Sequence, residues 1–206
     1  MLPPEALSAQ GLLYVKRQFL TLAECQQLVS DLHQSEHAPS LTYYAHSGPV
    51  VDASYRSTRE INVSRHVRDQ VVQKLIVLHQ EMQDYFQLQF VNMEGLQFLS
   101  YQPGDFFKAH RDNHSSPNPL AERKLSLLLF LNAPKEALTD SLPAELYDYE
   151  GGLLVFYRPS RRPPYQPVGM PLQVAPGMLI GFRPDVLHEV TPVISGQRFT
   201  IVTWLS

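Results

Sequence analysis

The alternation of apolar and polar positions along this chain changes character once, near residue 88. Before that point the longer apolar patterns repeat at helical spacing. Thr21-Leu-Ala-Glu24 is a capping-box signature, and Leu22, Cys25, Leu28, Val29 and Leu32 follow on one helical face, which predicts a helix over 22–34. Ser64 then caps a longer predicted helix over 66–86, whose Val67, Val71, Leu75, Leu78, Met82 and Tyr85 form the stripe to be buried. Short strands are predicted at 12–18 and at 59–64, the second from Ile61 and Val63 on a common face. Between them, residues 37–57 show no period. This polar, aromatic stretch holds Tyr43, Tyr44, His46, Tyr55 and Arg56 and reads first as a solvated loop, with a loop that grips substrate as the alternative.

Beyond residue 88 the period is that of strands and remains so. Strands are predicted near 95–102, 105–111, 124–132, 152–157, 171–175, 178–182, 186–191 and 197–205, with no helix between them. That succession predicts a mainly β fold with supporting helices, a sandwich or jelly roll whose interior can hold a ligand. Two connections are long: 133–150, which is acidic, and 158–171, which carries Arg158, Arg161, Arg162 and several prolines. In the last strand Arg198, Thr200, Val202 and Trp204 share one face and Phe199, Ile201, Thr203 and Leu205 the other. Both faces are largely apolar, so the strand is expected at the centre of a sheet.

Composition narrows the classes. With 206 residues and 44% hydrophobic content the chain can bury a real core, and one domain over 1–206 is the expectation. The 17 prolines cluster after residue 100, which favours short strands joined by fixed turns. A net charge of −3 argues against nucleic acid as the partner of the whole chain. No apolar run approaches a membrane span, and Met-Leu-Pro-Pro-Glu lacks the features of a secretory signal, so no membrane partner is expected. Cys25 is the single cysteine and falls in the apolar stripe of its helix, which suits a reducing cytoplasm and gives no sign of a nucleophile.

The candidate chemistry lies in Tyr101-Gln-Pro-Gly-Asp-Phe-Phe-Lys-Ala-His110-Arg-Asp112. On extended backbone His110 and Asp112 leave the same face and can share one metal ion. Alone the pair is weak, since His-x-Asp arises often by chance. A third ligand, a neutral imidazole, would complete the two-histidine, one-carboxylate set that suits non-haem Fe(II). His188, in an apolar strand after the Pro176-Gly177 turn, is the candidate, because jelly-roll strands distant in sequence become neighbours. Arg198 at the start of a central strand would be costly to bury without an anion, and no fixed acid is evident. A ligand carboxylate is the economical partner, since guanidinium matches it in bidentate geometry.

His110-x-Asp112, His188 and Arg198, framed by Tyr101-x-Pro-Gly, Arg123-x-x-Ser126, Phe130-Leu-Asn132, Gly151-Gly152 and His188-Glu-Val-x-Pro192, resemble the 2-oxoglutarate and Fe(II)-dependent dioxygenases. The likeness is to the prolyl 4-hydroxylase branch and covers residues 96–206; Arg56-Ser57-Thr58 is also similar to an element of that branch's substrate-covering loop. The resemblance implies a double-stranded β-helix (jelly roll, cupin-like) core over 95–206, braced by N-terminal helices, strands and a substrate-side loop over 1–94. It implies Fe(II) on His110, Asp112 and His188, with O2 and 2-oxoglutarate as co-reactants and ascorbate as an accessory. Arg198 would take the distal carboxylate of 2-oxoglutarate, with Tyr101 lining the pocket. Where relatives place a tyrosine toward that carboxylate this chain has Phe130, so Thr200 or a water would stand in. The implied activity is hydroxylation of an unactivated C–H bond, foremost of a prolyl residue in a peptide or protein, with release of succinate and CO2. Tyr43, Tyr44, Arg56, Arg59, Lys108 and Trp204 are the candidates for the substrate-facing wall.

Other readings remain open on the sequence. A free amino acid or small metabolite suits the same core. Gly104 and His110 have the spacing of a cupin motif, which would make a metal-binding module without catalysis; His110 and His114 could be read as a zinc pair, though the intervening sequence is not helical. A catalytically idle jelly roll serving as a binding module is the remaining alternative.

Overall fold

Local signals set the element boundaries in the computed structural model, which describes residues 1–44, 48–113, 119–137, 146–158, 163 and 166–206. In chain order these are α1 (Pro4–Ser8), β1 (Tyr14–Lys16), α2 (Leu22–His33), β2 (Glu36–Pro39), β3 (Thr42–Tyr44), β4 (Gly48–Val50), β5 (Arg59–Asn62), α3 (Arg65–Val77), α4 (His79–Phe86), β6 (Gln97–Tyr101) and β7 (Phe107–His110). There follow β8 (Leu125–Phe130), β9 (Glu150–Gly151), β10 (Leu154–Arg158), β11 (Val168–Pro171), β12 (Leu179–Phe182), β13 (His188–Val190), β14 (Val193–Ser195) and β15 (Arg198–Leu205). Helix α2 begins with the complete capping box: the Thr21 hydroxyl accepts from the Glu24 N–H while the Glu24 carboxylate accepts from the Thr21 N–H.

The strands form a seven-stranded sheet in the order β1-β12-β8-β15-β6-β5-β2 and a four-stranded sheet in the order β11-β10-β13-β7. The joins are antiparallel, and strands far apart in sequence lie side by side, which is the jelly-roll arrangement. Period two divides the large sheet between two cores. Phe98, Leu125, Leu127, Leu129, Phe199 and Ile201 face α2, α3 and α4, whereas Leu99, Tyr101, Leu128 and Phe130 point the other way, toward Leu154, Phe156 and Val190 of the small sheet. Each fully buried Leu or Phe contributes about 1.5–3 kcal/mol, so this division fixes the register of every central strand. β15 is central as expected, paired with β6 on one side and β8 on the other.

Differences from the sequence expectations have local causes. The predicted helix 66–86 is two helices, because the Leu78 N–H bonds to the Leu75 carbonyl and the turn tightens there, although Val71, Leu75, Leu78 and Met82 are buried as the stripe requires. The stretch read as loop contains β2, β3 and β4. β2 is an edge strand with largely exposed residues, so burial left no period-two pattern in its sequence. The strand expected at 171–175 instead lies at β11, where Val168 to Pro171 pair with Arg158 to Val155.

Two glycine turns constrain the interior. Gly177 has φ +75°, and a Cβ there would fall 2.1 Å from the Leu20 carbonyl oxygen. Gly151 and Gly152 have φ of +70° and +56°, and a Cβ on Gly151 would fall 2.4 Å from the Pro192 carbonyl oxygen. Only glycine allows these close backbone approaches.

Candidate metal centre and anion pocket

β7 and β13 are neighbours in the small sheet, and their register sets His110 directly opposite His188. The two rings are 4.2 Å apart between centroids. Asp112 follows β7, where its N–H donates to the Pro184 carbonyl at 2.8 Å, and its carboxylate turns back toward both imidazoles. His110 Nε2 lies 3.4 Å from Asp112 Oδ1 and His188 Nε2 lies 3.8 Å from Oδ2. One ligand atom from each of the three residues lies within 4.8 Å of the others. The sequence places these residues up to 78 positions apart, and cross-strand pairing brings them together.

Hydrogen bonds select the form of each ligand. His110 Nδ1 donates to the Lys108 carbonyl at 2.7 Å and His188 Nδ1 donates to the Val186 carbonyl at 3.0 Å. With Nδ1 carrying the proton, each Nε2 presents a lone pair toward Asp112, the tautomer a metal needs. Burial, reinforced by the charge of His110, depresses His188 to about 4, while Asp112 and the Val186 carbonyl pull it the other way; the ring is therefore neutral at neutral pH. Burial alone would raise Asp112, but His188, His110 and the Ser126 hydroxyl outweigh it and hold the carboxyl well below the usual carboxylate range. Ser126 Oγ donates to Asp112 Oδ2 at 2.6 Å. Arg123 donates from Nη1 to the Asp112 carbonyl at 3.0 Å, is clamped by Glu94 at 2.6 and 2.7 Å, and lies 3.6 Å over the Trp204 ring. Two imidazoles presenting Nε2 and one ionised carboxylate, each held from behind, fit a divalent first-row metal ion with positions left for exogenous ligands.

Arg198 is 1% exposed and is among the largest fully buried side chains. Its Nη1 donates to Thr200 Oγ1 at 3.3 Å, and the guanidinium lies 4.7 Å from the Tyr101 ring centroid and 5.7 Å from that of Phe130. Among the described residues Nε and Nη2 have no hydrogen-bond partner and no acid pairs with the group. A buried cation with two unused donors is unfavourable by itself and favourable toward a carboxylate. A cavity of about 50 Å³, lined by His110, Asp112, His188, Tyr101 and Arg198, joins it to the three ligands. This cavity shares Arg56, Phe107 and Trp204 with an open groove of about 740 Å³ that also takes in Tyr55, Arg111 and Arg123.

The wall candidates divide. Arg56 is buried, donates to Thr58 Oγ1 and the Leu41 carbonyl, and lies 4.8 Å over Phe107 at the mouth of the cavity. Trp204 lines both spaces. Arg59 is drawn instead to Asp105 at 3.4 Å, and Lys108 is exposed and lines neither space, because the register shift between Phe107 and His110 breaks the alternation of β7 and leaves both Lys108 and Ala109 outside. The side chains of Tyr43 and Tyr44 lie outside the described residues, as do His46, His114, Arg161 and Arg162. Ser126 and Phe107 were not assigned roles from sequence. Phe107 stacks on His110 at 3.6 Å, a contact that regular alternation would forbid to residues three apart and that the register shift within β7 permits, so spacing gave no signal of it.

A sequence profile described as the 2OG-Fe(II) oxygenase superfamily matches residues 96–206. A PKHD-type hydroxylase of Shewanella baltica is 31% identical over 110 residues, 52% of this chain and 41% of that protein. One from Shewanella oneidensis is 34% identical over the same span. The match thus covers about two fifths of the length of these curated relatives. Among solved structures, a Pseudomonas putida prolyl-4-hydroxylase aligns with a TM-score of 0.68 at 19% identity, over 98% of this chain and 96% of that one. A Trichoplax adhaerens prolyl hydroxylase in complex with a hypoxia inducible factor peptide fragment aligns with a TM-score of 0.63 at 18% identity, over 98% and 86%. These superpositions carry the double-stranded β-helix fold.

Proposed function

We propose, on the premise that the chain belongs to the 2OG-Fe(II) oxygenase superfamily, that it hydroxylates an unactivated C–H bond of a peptide or protein, foremost at a prolyl residue. The observation that carries this reading is one cavity with the His110, Asp112 and His188 ligand set at one end and the unpaired Arg198 guanidinium at the other. Fe(II) bound with 2-oxoglutarate would supply the oxidising chemistry, in which O2 puts one oxygen atom into the substrate C–H bond and the other into succinate as CO2 leaves. The chain's own residues orient and shield. His110 and His188 offer Nε2 because Lys108 and Val186 hold the Nδ1 protons. Ser126 occupies Asp112 Oδ2, which favours the other carboxylate oxygen as the metal donor.

Arg198 would take the distal carboxylate through its free donors, with Thr200 fixing Nη1 and Tyr101 and Phe130 keeping the site apolar and dry. Exclusion of water strengthens that ion pair. The open groove beyond Phe107 supports a polymeric substrate, since it is far larger than the inner cavity and is lined by the arginines and aromatics that suit an extended peptide backbone. The names of the relatives, PKHD-type hydroxylase and prolyl hydroxylase, favour the same substrate class. Among the described residues no helix is long and apolar enough to cross a membrane, and the reduced, buried Cys25 supports our placing of the protein in the cytoplasm.

The test is incubation of cell-extract proteins with enzyme, Fe(II) and 2-oxoglutarate, followed by mass spectrometry for peptides that gain one oxygen. Succinate formation in step with that gain is expected. Turnover of free proline without any modified peptide would overturn the substrate class, and no 2-oxoglutarate consumption under any condition would overturn the activity.

A further inference from the structure

The unpaired guanidinium raises the question of what holds it in place. Thr200 holds Nη1, yet the arginine stem is long and flexible and, among the described residues, two donors have no partner. Close to the arginine stem lies Tyr149, which is 1% exposed. A Cβ built on Gly152 would lie 3.2 Å from Arg198 Cδ and 3.3 Å from Tyr149 Cε2, so the arginine stem and the tyrosine ring edge border the same glycine. Burial raises the Tyr149 phenol and the charge of Arg198 opposes that shift, in keeping with the place the two side chains share at Gly152.

The tyrosine itself has little freedom. Its carbonyl accepts from the Lys135 N–H at 2.8 Å, and a Cβ on Gly196 would fall 2.7 Å from Tyr149 Cα, so the segment is pressed against the turn that leads into Arg198. The chemistry of the neighbour matters. A carboxylate at this place would neutralise Arg198 and compete with any incoming carboxylate, whereas a protonated phenol orients the cation and leaves its charge unspent.

We propose that Tyr149 is a positioning residue, which holds the Arg198 guanidinium ready for the distal carboxylate of a 2-oxo dicarboxylic acid and takes the place of the hydroxyl that Phe130 lacks. This rests on the reading of Arg198 as the carboxylate-binding group. The experiment is Tyr149→Phe in the full chain loaded with Mn(II), with calorimetric affinities for 2-oxoglutarate and for 2-oxopentanoate, which lacks the distal carboxylate. The expected result is about a tenfold loss for 2-oxoglutarate, about 1.4 kcal/mol, with 2-oxopentanoate and Mn(II) affinities unchanged. In turnover the KM for 2-oxoglutarate rises by the same factor while kcat stays within about twofold. Affinity for 2-oxoglutarate within twofold of the parent, or equal weakening of both ligands, would overturn the proposal. Arg198→Met run in parallel separates the two claims: if that variant still prefers 2-oxoglutarate over 2-oxopentanoate, the assignment of Arg198 fails and not only that of Tyr149.

Discussion

Replacing Arg198 by methionine should make the ligand-free protein more stable while abolishing its hold on 2-oxoglutarate. The guanidinium is fully buried and, among the described residues, has Nε and Nη2 without partners and no acid beside it. Each unsatisfied donor costs about 1–3 kcal/mol. The Tyr101 and Phe130 rings return part of this through cation–π attraction, about 1 kcal/mol together. Methionine fills most of the same volume at little packing cost, so the unfolding free energy should rise by about 1–4 kcal/mol, as for other buried charges replaced by apolar groups. Binding moves in the opposite direction. Loss of one partner of a buried, hydrogen-bonded charge pair costs about 2–5 kcal/mol, or about 30- to 5,000-fold in affinity. Urea unfolding without ligand measures the first quantity, with an unchanged m-value as the check that the same surface is exposed. Anaerobic calorimetry of the Mn(II)-loaded protein measures the second. A variant that is less stable by 2 kcal/mol or more without ligand, or one that binds 2-oxoglutarate as the parent does, would refute the account of Arg198 as a charge kept waiting for a carboxylate.

Other outcomes follow from the same contacts. Ser126→Ala removes the 2.6 Å hydrogen bond to Asp112 Oδ2 and should weaken metal binding by about 10- to 100-fold, read by competition with a chelating dye; unchanged affinity would make that hydroxyl irrelevant to the site. Asp112→Ala removes the anionic ligand, and succinate formation should drop by at least about a hundredfold, with a drop of less than tenfold counting against the ligand set. His188 is held at about 4 against an ordinary 6.5, so between those values the unfolded chain binds the proton that the metal-free folded state refuses. Its contribution to stability is complete above about pH 6.5 and is lost as pH falls toward 4, at up to about 1.4 kcal/mol per unit, with Asp112 adding a loss of the same sign at lower pH. Denaturant titrations of the metal-free protein at pH 7.5, 5.5 and 4.5 would expose a flat profile if this is wrong. Gly177→Ala drives a methyl into the Leu20 carbonyl in a backbone region hostile to alanine, and a loss of at least about 3 kcal/mol is expected in the same assay; a loss under 1 kcal/mol would show that the turn can yield.

The electrostatics of the two ends of the cavity are complementary. At the ligand end the single negative charge of Asp112 is stabilised by a hydroxyl and two imidazoles, and at the other end the positive charge of Arg198 has no counter-charge among the described residues. A dication with a dianionic co-reactant would balance both. The neighbouring arginines do not disturb this: Arg123 is spent on Glu94, and Arg56 is committed to Thr58 and the Leu41 carbonyl.

What the sequence determined was whatever depends on neighbours along the chain. The capping box at Thr21, the stripe from Val71 to Met82, the two-residue spacing of His110 and Asp112, and the doubly apolar final strand are local patterns, and each appears in the fold. What only the tertiary structure decided was which distant residues meet. The pairing of His188 with His110, the aim of Ser126 at Asp112 and the approach of Tyr149 to Arg198 depend on strand order and on turns at glycine, and they leave no period in the sequence. The same distinction explains the misplaced wall residues. Arg59 and Lys108 have the right chemistry for substrate, but an acid at position 105 and the register shift within β7 turn them elsewhere. Periodicity records how much of a side chain is buried, and it carries no record of what the side chain is buried against.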